Sequence, residues 1–188
     1  MITASRVVDN DKEWRAFQKT MRGIGDAVCT VGLHSDAEPY ERGQEAPATV
    51  AQVASFHEFG TEKMPARPFM RPTVDGNRAQ YGALIDRMAK LVIDRKLAAR
   101  KALGILGEKV SVDIKQAITD VTTPELAAST IASKKAKAGY LGAAKAQAYV
   151  GSGANPLIDT GHMRQSVTYK VTVDGVTEGP PTVKGGES

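Results

Sequence analysis

The chain has 188 residues, 41% of them hydrophobic and only 5% aromatic, which suits one sizeable aliphatic core and leaves little room for a second domain. Its single cysteine, Cys29, excludes an intrachain disulfide framework and a thiolate zinc site, and no stretch approaches the roughly 18 apolar residues of a membrane span. The net charge of +4 is uneven: residues 1–75 hold nine Lys/Arg against eleven Asp/Glu, and residues 76–188 sixteen against ten, too weak a footprint by itself to define a nucleic-acid binder.

Residues Met1 to Asn10 lack the apolar core of a secretion signal, so the chain reads as cytosolic at synthesis, in a reducing compartment; residues 1–9 are expected to form an N-terminal arm. Asn10 and Glu13 have the spacing of a capping box. Trp14, Phe17, Met21 and Ile24 then recur every three or four residues, which predicts a short amphipathic helix ending near Gly23 to Gly25. VCTVGLH, residues 28–34, is rich in strand formers, with Gly32 weakening it. Residues 35–48 are polar and punctuated by proline and glycine, a long surface loop. Thr49 and Gln52 open a second capped helix carrying Val50, Val53, Ala54 and His57 on one side, with Gly60 as its C-terminal stop.

Three prolines in KMPARPFMRP, residues 63–72, remove donors and favour extended backbone, so this stretch is expected to be an exposed arm and neither helix nor central strand. The strongest periodicity follows, from Tyr81, Leu84, Met88 and Leu91 through Ala98, Ala102, Leu106 and Val110 to Ile114 and Ile118. It predicts one long helix over about 76–119, kinked if anywhere at Gly104 and Gly107. Residues 120–156 dissolve into Thr, Ser, Lys, Ala and Gly and are expected to be a second long loop, partly helical at best. Val167, Tyr169, Val171 and Val173 alternate with polar residues as a half-buried strand. Asp174-Gly175 marks a tight turn through which Val176 to Glu178 can pair back, and residues 175–188 otherwise read as a flexible tail. The fold class that results is α+β: a long central helix on a small antiparallel sheet, with extended arms and long loops, in one domain spanning 1–188.

Catalytic signatures are mostly missing: no phosphate-binding glycine loop, no dinucleotide fingerprint, no HExxH and no GxSxG. His34, His57 and His162 are far apart in sequence. Leu157-Ile158-Asp159-Thr160-Gly161 has the look of an aspartic-protease strand, in which paired carboxylates share a proton. Only 27 residues follow Gly161, too few for the barrel such a site needs, so a turn or cap at Asp159 is the preferred reading. No catalytic, cofactor-binding or metal-binding residue is expected. Two basic clusters, one of Arg87, Lys90, Arg95, Lys96, Arg100 and Lys101 and one of Lys134, Lys135, Lys137 and Lys145, read first as a solvated helix face and a loop.

The blocks His57-Glu58-Phe59-Gly60-Thr61, Pro65-Ala66-Arg67-Pro68-Phe69-Met70-Arg71-Pro72 and, after a long helix, Ser129 to Lys135 with Pro156 to Val167, together resemble the phage virion-morphogenesis family. That family groups the tail-completion and neck proteins of Mu-like, P2-like and HK97-like phages. The ordered set spans about two thirds of the chain and departs from the family's pattern at 35–48 and 136–154. The resemblance implies a structural virion protein, made in the host cytoplasm, forming a ring of six or twelve copies at the neck or proximal tail that joins the tail to the head-tail connector and contacts other neck and tail proteins. Tail terminator or head-closure protein is the near alternative and a nucleic-acid-binding module the distant one. His57, Glu58, Phe59, Gly60, Arg67, Pro68, Phe69, Arg71, Asp159, Thr160 and Gly161 are then candidates for subunit contacts. Phe69 would be an aromatic anchor on a proline-stiffened arm, so that Phe69→Ala should block assembly without unfolding the monomer. Lys134, Lys135, Lys137 and Lys145 would face genomic DNA in the lumen without sequence preference; no membrane partner is implied.

Overall fold

Alternation of apolar and polar side chains along Val167–Val173 builds the centre of the molecule, strand β2, whose odd-numbered residues are buried and even-numbered ones half-exposed. The computed structural model describes residues 11–34, 48–140, 155–158 and 161–180, with the side chains at 13, 23, 135 and 137–140 left aside. The described elements are seven helices, α1 (Asp11–Gly25), α2 (Val50–Phe59), α3 (Met70–Gly76), α4 (Arg78–Ile93), α5 (Ala99–Asp120), α6 (Ala128–Tyr140) and α7 (His162–Gln165), and three strands, β1 (Val28–Leu33), β2 and β3 (Val176–Glu178). The strands form an antiparallel sheet in the order β1-β2-β3. Val28 lies opposite Thr172 and Leu33 opposite Val167. Asp174 and Gly175 both take positive φ, 52° and 75°, the geometry a two-residue hairpin needs to follow the strand twist. The α+β architecture expected from the sequence is the one observed.

Helix α5 packs across one face of the sheet. Gly107 makes this close approach feasible: a Cβ there would stand 2.7 Å from Tyr169 Cγ and 2.9 Å from Cys29 Sγ. Gly104 and Gly107 therefore do not kink the helix as expected; they lie inside α5 where the sheet presses on it. The expected single helix is instead two, broken over residues 94–98. The break is a hydrogen-bonded stop: Arg95 N–H donates to Val92 O, Lys96 N–H donates to Leu91 O, and Arg95 sits at φ 59°. That is the Schellman pattern of a helix C-terminus, completed here without a glycine. Tyr81 of α4 donates to Asp113 of α5 at 2.9 Å, so the two helices run back against each other as a hairpin. Burial and the Asp113 carboxylate push the Tyr81 phenol up to about 12.

Two further expectations are corrected. Residues 128–140 form a 13-residue helix within the stretch read as loop; Ala, Lys and Ser tolerate helix well, and the anchor is a polar one described below, invisible to an apolar periodicity. Residues 63–72 are not an outlying arm. They fold inward, Arg67 and Phe69 are buried, and α3 begins at Met70 with Pro72 in its first turn, where a missing N–H is harmless. Val176 to Glu178 pair back on β2 as β3, as expected. The arm at 1–9, the Asn10 cap, residues 35–47, 141–154 and 181–188 lie outside the described residues.

The main core joins Val50 and Ala54 of α2, Phe69, Ile114 and Ile118 of α5, Leu157, Met163 and Val167. Helix α1 is less well covered: Trp14 is 59% exposed and Met21 41%, with Trp14 and Phe17 stacked at 5.7 Å. A shallow apolar groove of about 220 Å³ remains between Met21, Ile24, Ile85, Val92 and Leu103.

Candidate functional site

The first sequence block closes on itself around one carboxylate. Thr49 caps α2 with Gln52 in a reciprocal box, and the helix runs to Phe59, carrying Glu58 to its buried side. At Gly60 the chain reverses with φ 78°. A Cβ at that point would meet Ala66 N at 2.9 Å and Met64 O at 3.1 Å, so only glycine fits the turn. Thr61 and Met64 pair across the reversal and bring 67–72 back along α2.

Glu58 then receives the start of α3. Its Oε2 accepts from the Phe69 and Met70 N–H groups at 2.8 and 3.0 Å, and its Oε1 from the Arg71 N–H and Nε, both at 3.0 Å. Since Pro72 has no N–H, one carboxylate satisfies the amide donors that open α3. Burial alone raises the Glu58 carboxyl, but the Met70, Arg71 and Phe69 amides and the Arg71 guanidinium outweigh it and hold the group below the usual carboxylate range. Arg71 also lies over the Phe59 ring at 4.6 Å.

Arg67 ties this block to the segment after α5. Its amide donates to His57 O at 2.7 Å, its Nε to Pro124 O at 2.8 Å and its Nη2 to Glu125 O at 3.0 Å. His57 Nδ1 is buried and has no hydrogen-bond partner among the described residues. Burial, then the charges of Arg67 and Lys134, lower the His57 pKa, so the imidazole is held neutral.

Lys134 joins the two parts of the second sequence block. The side chain is buried and its Nζ donates to Asn155 O at 3.0 Å and Ile158 O at 2.6 Å. Asn155 in turn donates through Nδ2 to the Ile118 and Thr119 carbonyls, at 3.1 and 2.5 Å, and accepts from Leu157 N–H. It thus caps the carbonyl end of α5. Gly161 adopts the left-handed conformation ahead of α7.

These contacts revise the candidate residues. Phe69 is 1% exposed and sits in the core, not on an anchor arm. Glu58 and Arg67 are buried in internal hydrogen bonds, and Lys134 faces backbone carbonyls and not a lumen. The side chains of Lys135 and Lys137, and all of Lys145, Asp159 and Thr160, lie outside the described residues. Phe59 at 66% exposure, with Phe56 at 47% one turn earlier, is the part of the block that does look outward; Pro68 and Arg71 are exposed beside it. A cleft of about 390 Å³ separates this face from β1, lined by Gly32, Leu33, Ser55, Phe59 and Met70. The outer edge of β1 pairs with nothing among the described residues.

Asn155 and Arg100 are structural residues that sequence reasoning missed. Arg100 donates to the Val171, Val173 and Val176 carbonyls at 3.1 to 3.2 Å, pinning the β2-β3 hairpin to α5. An asparagine directly before Pro156-Leu157 was the available signal for the first; nothing local marked the second. No group of three or more His, Cys, Asp or Glu side chains gathers as a metal site among the described residues, and no helix there is long and apolar enough to cross a membrane. No protein-family profile, curated protein or solved structure matches the chain.

Proposed function

We propose that the chain is a structural virion protein of a tailed bacteriophage, a tail-completion or neck component that assembles into a ring of identical subunits between tail and head-tail connector. The observation that carries this reading is the convergence of the two resembling sequence blocks on one clasp. Glu58, Arg67 and Phe69 from the first, and Lys134, Leu157 and Met163 from the second, meet around the end of α5. The described residues that make up the resemblance therefore have a shared structural task.

The clasp also leaves a surface suited to self-association. It turns Phe56 and Phe59 outward beside the edge of β1 that pairs with nothing among the described residues, and exposed aromatic side chains with an arginine alongside are the residue types on which interfaces concentrate. A ring buries such a face in every subunit.

The test is the size of the purified full chain by light scattering and electron microscopy, together with its presence in purified virions. A ring of six or twelve copies is expected, reverting to monomer in Phe56→Ser/Phe59→Ser. A chain that is monomeric at every concentration and absent from virions defeats the reading.

A further inference from the structure

The corner between α4 and α5 holds an arginine in a place that favours glycine. Arg95 occupies the left-handed position of the helix stop at φ 59°, a conformation disfavoured for any residue with a Cβ. Among the described residues the other non-glycine with positive φ is Asp174, in a hairpin turn where aspartate is common. The Arg95 side chain gains nothing specific in return: it is exposed and makes no hydrogen bond or ion pair with the described residues. A cation near the carbonyl end of α4 is favourable, yet Lys90 and Lys96 already stand there.

Arg95 does not stand alone. Arg87, Lys90 and Lys101 are exposed and their side chains likewise make no hydrogen bond or ion pair with the described residues. Lys96 is exposed and shares its charge with Asp94 at 3.2 Å, while Arg100 is used up on the sheet carbonyls and Glu178. Because α4 and α5 run back on each other, all of these cations lie within about two turns of the corner, a span of roughly 10 Å along each helix. The acidic residues of the same stretch are Asp86 and Asp94. Residues 82–139 contain no aromatic side chain, so α4 and α5 themselves offer no ring within two turns of the corner on which to stack an unpaired base.

We infer that the α4–α5 corner, through Arg87, Lys90, Arg95 and Lys101, is a contact site for the phosphate backbone of duplex DNA, read without regard to sequence. The site is distinct from the α6 lysines, and the inference does not depend on the ring reading, whose test is oligomeric state. Each phosphate neutralised by such a cation releases a counterion and adds about 0.9 to the slope of log affinity against log salt.

The experiment is a salt titration of duplex binding by the full chain, monitored by fluorescence anisotropy, with urea unfolding of each variant as the folding control. Arg87→Glu/Lys90→Glu/Lys101→Glu is expected to lower the slope by about 3 while leaving the urea midpoint near that of the parent. Arg95→Gly separates fold from function: it should raise the urea midpoint, by relieving the left-handed arginine, and lower the slope by about 1. Absence of duplex binding at low salt overturns the inference. So does a slope unchanged in the triple variant, or tighter binding of a single strand of equal length.

Discussion

Replacing Glu58 by glutamine keeps the shape of the clasp and removes half of its acceptors. The carboxylate takes four N–H groups, two on each oxygen; an amide offers one oxygen. That oxygen will stay with Phe69 and Met70, the more enclosed pair, and turn its NH2 toward Arg71. The Arg71 side chain, 60% exposed, can swing to water, but its backbone N–H is left without an acceptor at about 1–3 kcal/mol. The two remaining bonds fall from charge-assisted to neutral, about 0.5–1 kcal/mol each. Glu58→Gln should therefore destabilise the chain by about 3 kcal/mol, measured as a lower urea midpoint at neutral pH with an unchanged dependence on denaturant. Arg71→Ala is the comparison: it removes the ion pair from its exposed side and the contact over Phe59 while leaving the three backbone N–H donors on the carboxylate, and should cost less, about 1–2 kcal/mol. Because the folded Glu58 pKa is depressed, the stability it contributes is fully present above the ordinary value of 4.5 and is lost as pH falls through the folded one. The gap between parent and Glu58→Gln must narrow accordingly in acid. A Glu58→Gln cost below about 0.5 kcal/mol, or a gap indifferent to pH, would refute the assignment of the carboxylate as the cap of α3.

Phe69→Ala should cost about 3–5 kcal/mol in the isolated chain, the range for emptying a fully buried aromatic site; a variant as stable as its parent by thermal unfolding would return Phe69 to the surface role the sequence suggested. Gly107→Ala is expected to destabilise by about 1–3 kcal/mol, since the added methyl meets Tyr169 and Cys29 below 3 Å. Gly104→Ala, whose methyl would stand 3.7 Å from Tyr169, should instead stabilise by up to about 1 kcal/mol through helix propensity, and equal effects from the two would show that the helix-sheet approach is misjudged. The neutral His57 makes a pH prediction: with its folded pKa below the ordinary 6.5, the unfolded chain takes up the proton first, so stability is full above 6.5 and declines as pH falls through the folded value. His57→Leu should flatten that decline just below 6.5, as followed by urea midpoints against pH, and an undiminished slope would place the titration elsewhere.

What the sequence disclosed of the fold was whatever is encoded locally and repeatedly. The alternation over Val167–Val173, the Asp174-Gly175 turn and the Thr49/Gln52 box each carry their own physics within a few residues, and each is found where it was expected. The break in the long helix was not legible, because residues 94–98 stop the helix through Arg95 in a conformation that sequence rules assign to glycine. The two glycines nominated for the kink owe their place to Tyr169, some sixty residues away, and a contact at that separation leaves no mark in local pattern. Helix α6 escaped for a related reason: its anchor is a buried lysine on two carbonyls, and a lysine in an alanine-rich run reads as solvent-facing until its partners are known.

The misreading of the candidate site has one physical source. A proline-rich stretch flanked by arginines resembles an exposed arm because backbone without internal partners normally goes to water. Here Glu58 supplies those partners from an adjacent helix, and once the Phe69, Met70 and Arg71 amides are satisfied the same stretch can enter the core, taking Phe69 with it. The charges on Arg67 and Lys134 are likewise satisfied by backbone carbonyls, so they join segments of one chain and are not available to a partner. The side chains that this end of α2 leaves exposed are Phe56 and Phe59. Substitutions in the clasp should therefore act on assembly through stability, lowering both together, whereas substitutions at Phe56 and Phe59 should change assembly at constant stability. Measuring both quantities on the same variants distinguishes a residue that builds the subunit from one that joins it to another.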